Sequence, residues 1–137
     1  MDHQIGTAAE SVASVTIQAP GKGFVFVAGA ATFFGDRAGC PCNVIAQLKD
    51  DSSGTFSPTQ VGTTPATGQD EGLSPTWVFP VSGAGAKTYE LFVSSSAAAS
   101  DGVFNTRISA VFSPFGANGT NASSPAASAL SSSRINP

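Results

Sequence analysis

The chain has 137 residues, enough for one domain with a core of its own. Charged residues make up only 11% of it and the formal net charge is −3, with a pI near 4.7, so its surface is mostly uncharged and polar. The basic residues Lys22, Lys49, Lys87, Arg37, Arg107 and Arg134 are scattered, which argues against nucleic-acid binding, and the longest apolar run, Gly23 to Phe34, is too short and too glycine-broken to cross a bilayer as a helix.

Residues 1–11 carry little pattern and read as an N-terminal arm; Met1 to Gly6 has neither the basic nor the apolar region of a secretory signal. Val12, Val15 and Ile17 then lead to Pro20-Gly21-Lys22-Gly23, which predicts a first strand closing into a hairpin. From Gly23 to Phe34 one long strand is expected that is apolar on both faces. Phe24, Phe26, Ala28 and Ala30 point one way, and Val25, Val27, Ala31 and Phe33 the other. A strand of an antiparallel sandwich packs one face on the core and normally turns the other to water. Helix-forming sequence is too scarce here to cover the second face, so another copy of the same sheet is the expected cover.

Gly35 to Gly39 ends this strand, and Cys42 to Asp50 resumes with Val44, Ala46 and Leu48 on one face, closed by the turn Asp51-Ser52-Ser53-Gly54. Ser57 to Thr76, rich in Pro, Thr and Gly, reads as a long connection with one short strand. Trp77 to Val81 is a strand that Pro80 places at an edge or a strand end. After Ser82-Gly83-Ala84-Gly85, Tyr89, Leu91 and Val93 alternate with Thr88, Glu90 and Phe92. The last strand, Val103 to Phe112, is expected to set Phe104, Ile108, Ala110 and Phe112 on one face. Short strands at this spacing, without a helical period, predict an all-β antiparallel β-sandwich or jelly roll over residues 12–116. Residues 117–137, mostly Asn, Ala and Ser, form a C-terminal arm that cannot bury enough of itself to fold alone.

The order Ser-Val-Thr-Ile-Gln-Ala-Pro-Gly-Lys-Gly-Phe-Val-Phe-Val-Ala-Gly-Ala (14–30), Cys42 opening a strand, Val-Phe-Pro-Val-Ser-Gly-Ala-Gly-Ala-Lys-Thr-Tyr-Glu-Leu (78–91) and Ile-Ser-Ala-Val-Phe-Ser-Pro-Phe-Gly (108–116) resembles the bacterial and phage relatives of the tumour-necrosis-factor-like and complement globular-head jelly rolls. The resemblance covers about residues 12 to 116. It implies a ten-stranded jelly roll that trimerises through one sheet. No Gly-X-Y collagen stalk precedes the domain, and both arms are extra.

Sites of chemistry are weakly signalled. Cys40 and Cys42 face the same side of a strand, yet a structural metal needs about four ligands, and the only histidine is His3 in the arm. Even with thiolates gathered around a trimer axis, two small half-buried apolar residues is the expected state, because a disulfide between alternate residues is strained. No nucleophile has a histidine to activate it, and the acidic pairs Asp50-Asp51 and Asp70-Glu71 sit beside turns as solvated residues. Gly21-Lys22-Gly23 lacks the spacing of a phosphate loop, and Asp51-Ser-Ser-Gly lacks the further ligands of a calcium loop. Asn118-Gly-Thr and Asn121-Ala-Ser match the glycosylation acceptor pattern, which matters only in a glycosylating host. Ten Phe against one Trp and one Tyr favour cores and permanent interfaces over ligand-stacking platforms.

The expected function is therefore a non-enzymatic structural assembly protein, a homotrimer at a virion surface such as a bacteriophage capsid decoration or fibre-head protein. The alternative is a secreted bacterial binding or adhesion head displaying loops such as 57–76. Its partners would be itself and a larger assembly such as a capsid, with no cofactor, metal, nucleic acid or membrane insertion. The candidate oligomer-interface residues are Phe24, Val25, Phe26, Val27, Phe33, Tyr89, Leu91 and Phe112, since a one-residue change of register exchanges core and outer faces.

Overall fold

The computed structural model describes residues 3–35, 42–64, 70–96 and 101–114. Among these residues the regular structure is entirely strand: β1 His3–Ile5, β2 Glu10–Ala19, β3 Gly23–Gly35, β4 Cys42–Asp50, β5 Thr55–Phe56, β6 Gln60–Thr64, β7 Asp70–Leu73, β8 Thr76–Val81, β9 Gly85–Ser95 and β10 Asp101–Ser113. One sheet runs β1-β10-β3, with β7 and β8 pairing successive parts of β3. The other runs β2-β9-β4, with β5 and β6 pairing successive parts of β4. Every pairing is antiparallel. The chain changes sheet between β1 and β2, β2 and β3, β3 and β4, β6 and β7, β8 and β9, and β9 and β10. The result is the all-β sandwich of a jelly roll.

That path corrects the expected β2–β3 hairpin. β2 pairs with β9 and β3 with β10, β7 and β8, so Pro20 to Lys22 carries the chain from one sheet to the other. A turn signal states that the chain reverses, not whether it reverses within the plane of a sheet. Between β4 and β5, by contrast, the expected turn does form a hairpin: Gly54 takes φ 73°, and the Ser52 N–H donates to Asp50 Oδ1 at 2.9 Å. The connection 57–76 also holds more structure than expected, since β6 and β7 within it add to β4 and β3 respectively. Val61, Thr63 and Thr64 supply β-forming side chains to β6 despite the prolines.

The core lies between the sheets. Val25, Val27, Ala31 and Phe33 of β3 face Val44, Ala46 and Leu48 of β4 and Tyr89, Leu91 and Val93 of β9, all 3% exposed or less. Gly29 belongs to the inward row of β3. A Cβ there would lie 3.1 Å from Leu48 Cδ2 and 3.2 Å from Leu91 Cδ1, so the bare backbone is what lets both leucines of the opposite sheet close onto β3. Of the expected N-terminal arm, His3–Ile5 pair with β10, and Ile5 is buried in this core.

β10 contains a bulge. Phe104 pairs with Thr32 and Arg107 with Ala30, so two residues of β10 stand against one of β3. Asn105, at φ 52°, absorbs the extra residue. The bulge exchanges the faces of the strand, correcting the expectation of a single apolar row. Phe104 packs its ring on Phe34 at 5.7 Å between centroids, whereas Ile108, Ala110 and Phe112 pack against the core.

Cys42 is buried and disulfide-bonded, which corrects the expectation of two unlinked apolar thiols. Cys40, residues 36–39 where the long strand was expected to end, and the expected C-terminal arm with Asn118 and Asn121 lie outside the described residues.

Candidate assembly surface

Parity along β3 decides which residues are free to meet a partner. Its odd-numbered residues up to Phe33 face inward, and the outward row is Phe24, Phe26, Ala28, Ala30, Thr32 and Phe34. The neighbouring strands continue this outer surface in register. Val111 of β10 and Val78 of β8 flank Phe26, Ser109 and Thr76 flank Ala28, and Ser113 and Pro80 flank Phe24. Phe26 is 41% exposed and Val111 66%. Trp77, register partner of Val27, stands at the free edge of β8 and is 44% exposed. Together Phe26, Ala28, Trp77, Val78, Ser109 and Val111 line a shallow groove of about 650 Å³. A cluster of large exposed apolar side chains on one face marks a contact surface.

The outer face of the other sheet is built differently. Thr16 and Thr88 are cross-strand partners joined through their hydroxyls at 2.8 Å. Lys49 and Glu90 are opposite charges in register. Phe56 and Phe92 meet edge to face at 5.6 Å between centroids, and the Lys49 ammonium stands 5.6 Å from each ring. Lys49 also pairs with Asp51 at 3.7 Å. Hydrogen bonds from Ser11 and Asp51 hold the Glu90 carboxyl below its usual range, while partial burial and then Glu90 itself push the Asp51 carboxyl up. This face presents hydroxyls and charges to solvent, together with Phe56, 45% exposed, and Val61, 57% exposed. The two faces differ in charge: among the described residues the groove on the β10-β3-β8 side is lined without a charged residue, whereas Lys49, Asp51 and Glu90 stand among the apolar side chains of the other face, which makes the groove the candidate contact surface.

The sequence-derived interface set divides accordingly. Phe24 and Phe26 face outward, Phe24 half-buried. Val25, Val27, Phe33, Tyr89 and Leu91 are 2% exposed or less inside the sandwich, and Phe112 packs against the same core, which corrects their assignment to an outer interface. The physical reason is the period of two: the row of β3 that faces β4 and β9 is already covered within the chain. Val78 and Val111 were missing from the set, as was Trp77, which shares the inward parity of its partner Val27 and lines the groove from the free edge of β8. Val111 carried a usable signal, because it is a large apolar residue on the row of Ser109 and Ser113, opposite in parity to Ala110 and Phe112. Among the described residues no group of His, Cys, Asp and Glu side chains is arranged to hold a metal ion.

No protein-family model and no curated protein matches the chain. Two solved structures are similar to it, those of infectious bursal disease virus Gt strain and Gx strain, each with a TM-score of 0.47, at 16% and 15% identity over 88% and 89% of this chain. The chain spans about a third of the length of those chains, 32% and 31%.

Proposed function

We propose that this chain is a non-enzymatic structural protein that assembles with copies of itself through the outer face of β10, β3 and β8. The observation that carries the reading is that face: exposed Phe26 and Val111 lie side by side in register with half-buried Val78, on a sandwich whose core is already closed by its own two sheets. Covering them with a second apolar face removes the cost of hydrating large side chains, whereas covering the outer face of the other sheet would also strip water from Lys49, Asp51 and Glu90. The homotrimer that the jelly-roll resemblance implies is the form we propose. The setting we propose for it is a virion surface, where a sparsely charged body with a permanent apolar contact face serves as a building block. A secreted binding head of the same architecture is the alternative.

Cross-linking of the purified chain tests the assembly: a ladder ending at three copies is expected, and a single copy at every protein concentration overturns the reading. The setting is tested by the native gene's neighbours. Capsid, portal or tail genes alongside it are expected, and a secretory leader preceding the domain would sink the virion setting in favour of the secreted head.

A further inference from the structure

At one end of the sandwich a hollow of about 430 Å³ takes its lining from both sheets. Lys22 and Phe24 come from the β2–β3 connection and the start of β3. Pro80 and Val81 come from the end of β8, Asp50 from the end of β4, and Lys87 and Tyr89 from the start of β9. Tyr89 is 0% exposed, and its buried hydroxyl has no hydrogen-bond partner among the described residues. Buried hydroxyls are nearly always partnered, so an orphan one that lines a hollow points to a ligand. Burial, and secondly the negative charge of Asp50, push its pKa up to about 12, so it remains a donor at any ordinary pH.

The charges around it select an anion. Lys22 and Lys87 are two of the chain's three lysines, the third being Lys49, and they converge here in a protein of net charge −3. Asp50, 4% exposed, is the one carboxylate in the lining among the described residues, and it is held in place by the Ser52 N–H at 2.9 Å. Two ammonium groups and a phenol therefore offer donors to a negative group, while Asp50 offers an acceptor to a hydroxyl. Phe24, Pro80 and Val81 add an apolar wall that suits the C–H face of a ring and has no use for an inorganic ion.

We propose that this hollow binds an acidic monosaccharide, with Lys22 and Lys87 on its carboxylate, the Tyr89 hydroxyl donating to a ring or hydroxyl oxygen and Asp50 accepting from a sugar hydroxyl. Calorimetric titration of the full chain with glucuronate, galacturonate, glucose and inorganic sulfate tests it. One of the two uronates is expected to bind at least about tenfold more tightly than glucose or sulfate. Tyr89→Phe is expected to weaken that binding about tenfold without lowering the melting temperature, since it removes an unpaired hydroxyl and keeps the ring. The exposed and half-buried lysines permit a second variant that keeps the fold, Lys22→Ala with Lys87→Ala, in which binding is lost. The proposal is overturned if neither uronate binds at millimolar concentration, if sulfate binds as tightly as the uronate, or if the double lysine variant binds as the parent does.

Discussion

Val25 and Phe26 are neighbours in β3 that the fold assigns opposite fates, and replacing each by Asp separates them. Val25 is 0% exposed, with Phe79 and Phe112 opposite it on the flanking strands. Val25→Asp forfeits roughly 2 kcal/mol of apolar burial. Keeping the new carboxyl neutral at pH 7 inside the core means raising its pKa by about three units, a further 4 kcal/mol or so. A loss of about 6 kcal/mol is comparable with the whole stability of an ordinary domain. Phe26 is 41% exposed already, so Phe26→Asp leaves its carboxylate in water. It loses a fraction of the contact with Val78 and Val111 and some strand propensity, together about 1–2 kcal/mol. Urea unfolding followed by circular dichroism and Trp77 fluorescence, with light scattering on the same samples, reads both effects. We expect Val25→Asp to be unfolded without denaturant and Phe26→Asp to be a folded monomer. A folded Val25→Asp beside an unfolded Phe26→Asp would refute the parity assigned to β3.

Other outcomes follow from particular contacts. The Tyr89 pKa is raised from 10.0 to about 12 by burial and by Asp50. The folded state thus favours the protonated phenol, so its contribution to stability is complete below about pH 10 and is lost as the pH climbs toward 12. Phenolate absorbance of the folded protein should rise near 12; a midpoint at 10 contradicts the burial. A Cβ on Gly23 would sit 2.4 Å from the Ser113 carbonyl oxygen and 2.6 Å from Phe112 Cζ. Gly23→Ala should therefore lower the melting temperature by the equivalent of about 1–3 kcal/mol. Gly21→Ala, with nothing within 4 Å, should change it little, and equal melting of the two would count against the packing of β3 on β10. Asn105 holds the bulge at φ 52°, so Asn105→Val should cost about 1–2 kcal/mol in urea unfolding and Asn105→Gly close to nothing.

The sandwich was legible because alternation survives in its long strands. The rows Val44-Ala46-Leu48 and Tyr89-Leu91-Val93 were read correctly, and both rows of β3 were separated correctly before the structure assigned one inward and one outward. What alternation cannot state is which row meets the opposite sheet, and six of the eight proposed interface residues fell on the covered side for that reason. The bulge at Asn105 was invisible because it depends on a backbone conformation, and it turned Phe104 away from the row of Ile108. Turn residues announced reversals but not their plane, which is how Pro20 to Lys22 came to be read as a hairpin. The hollow around Tyr89 was illegible because it gathers residues from β3, β4, β8 and β9 that share no local pattern.

The central claim, that the apolar outer face of β10, β3 and β8 is a contact between copies, is tested most directly by absolute mass in solution from micromolar to nanomolar protein, for the parent chain and for Phe26→Asp. We expect three times the 13.7 kDa chain mass, about 41 kDa, for the parent, and 13.7 kDa for the folded variant. A parent that is 13.7 kDa throughout, or a variant that keeps the parent's larger mass, would contradict it.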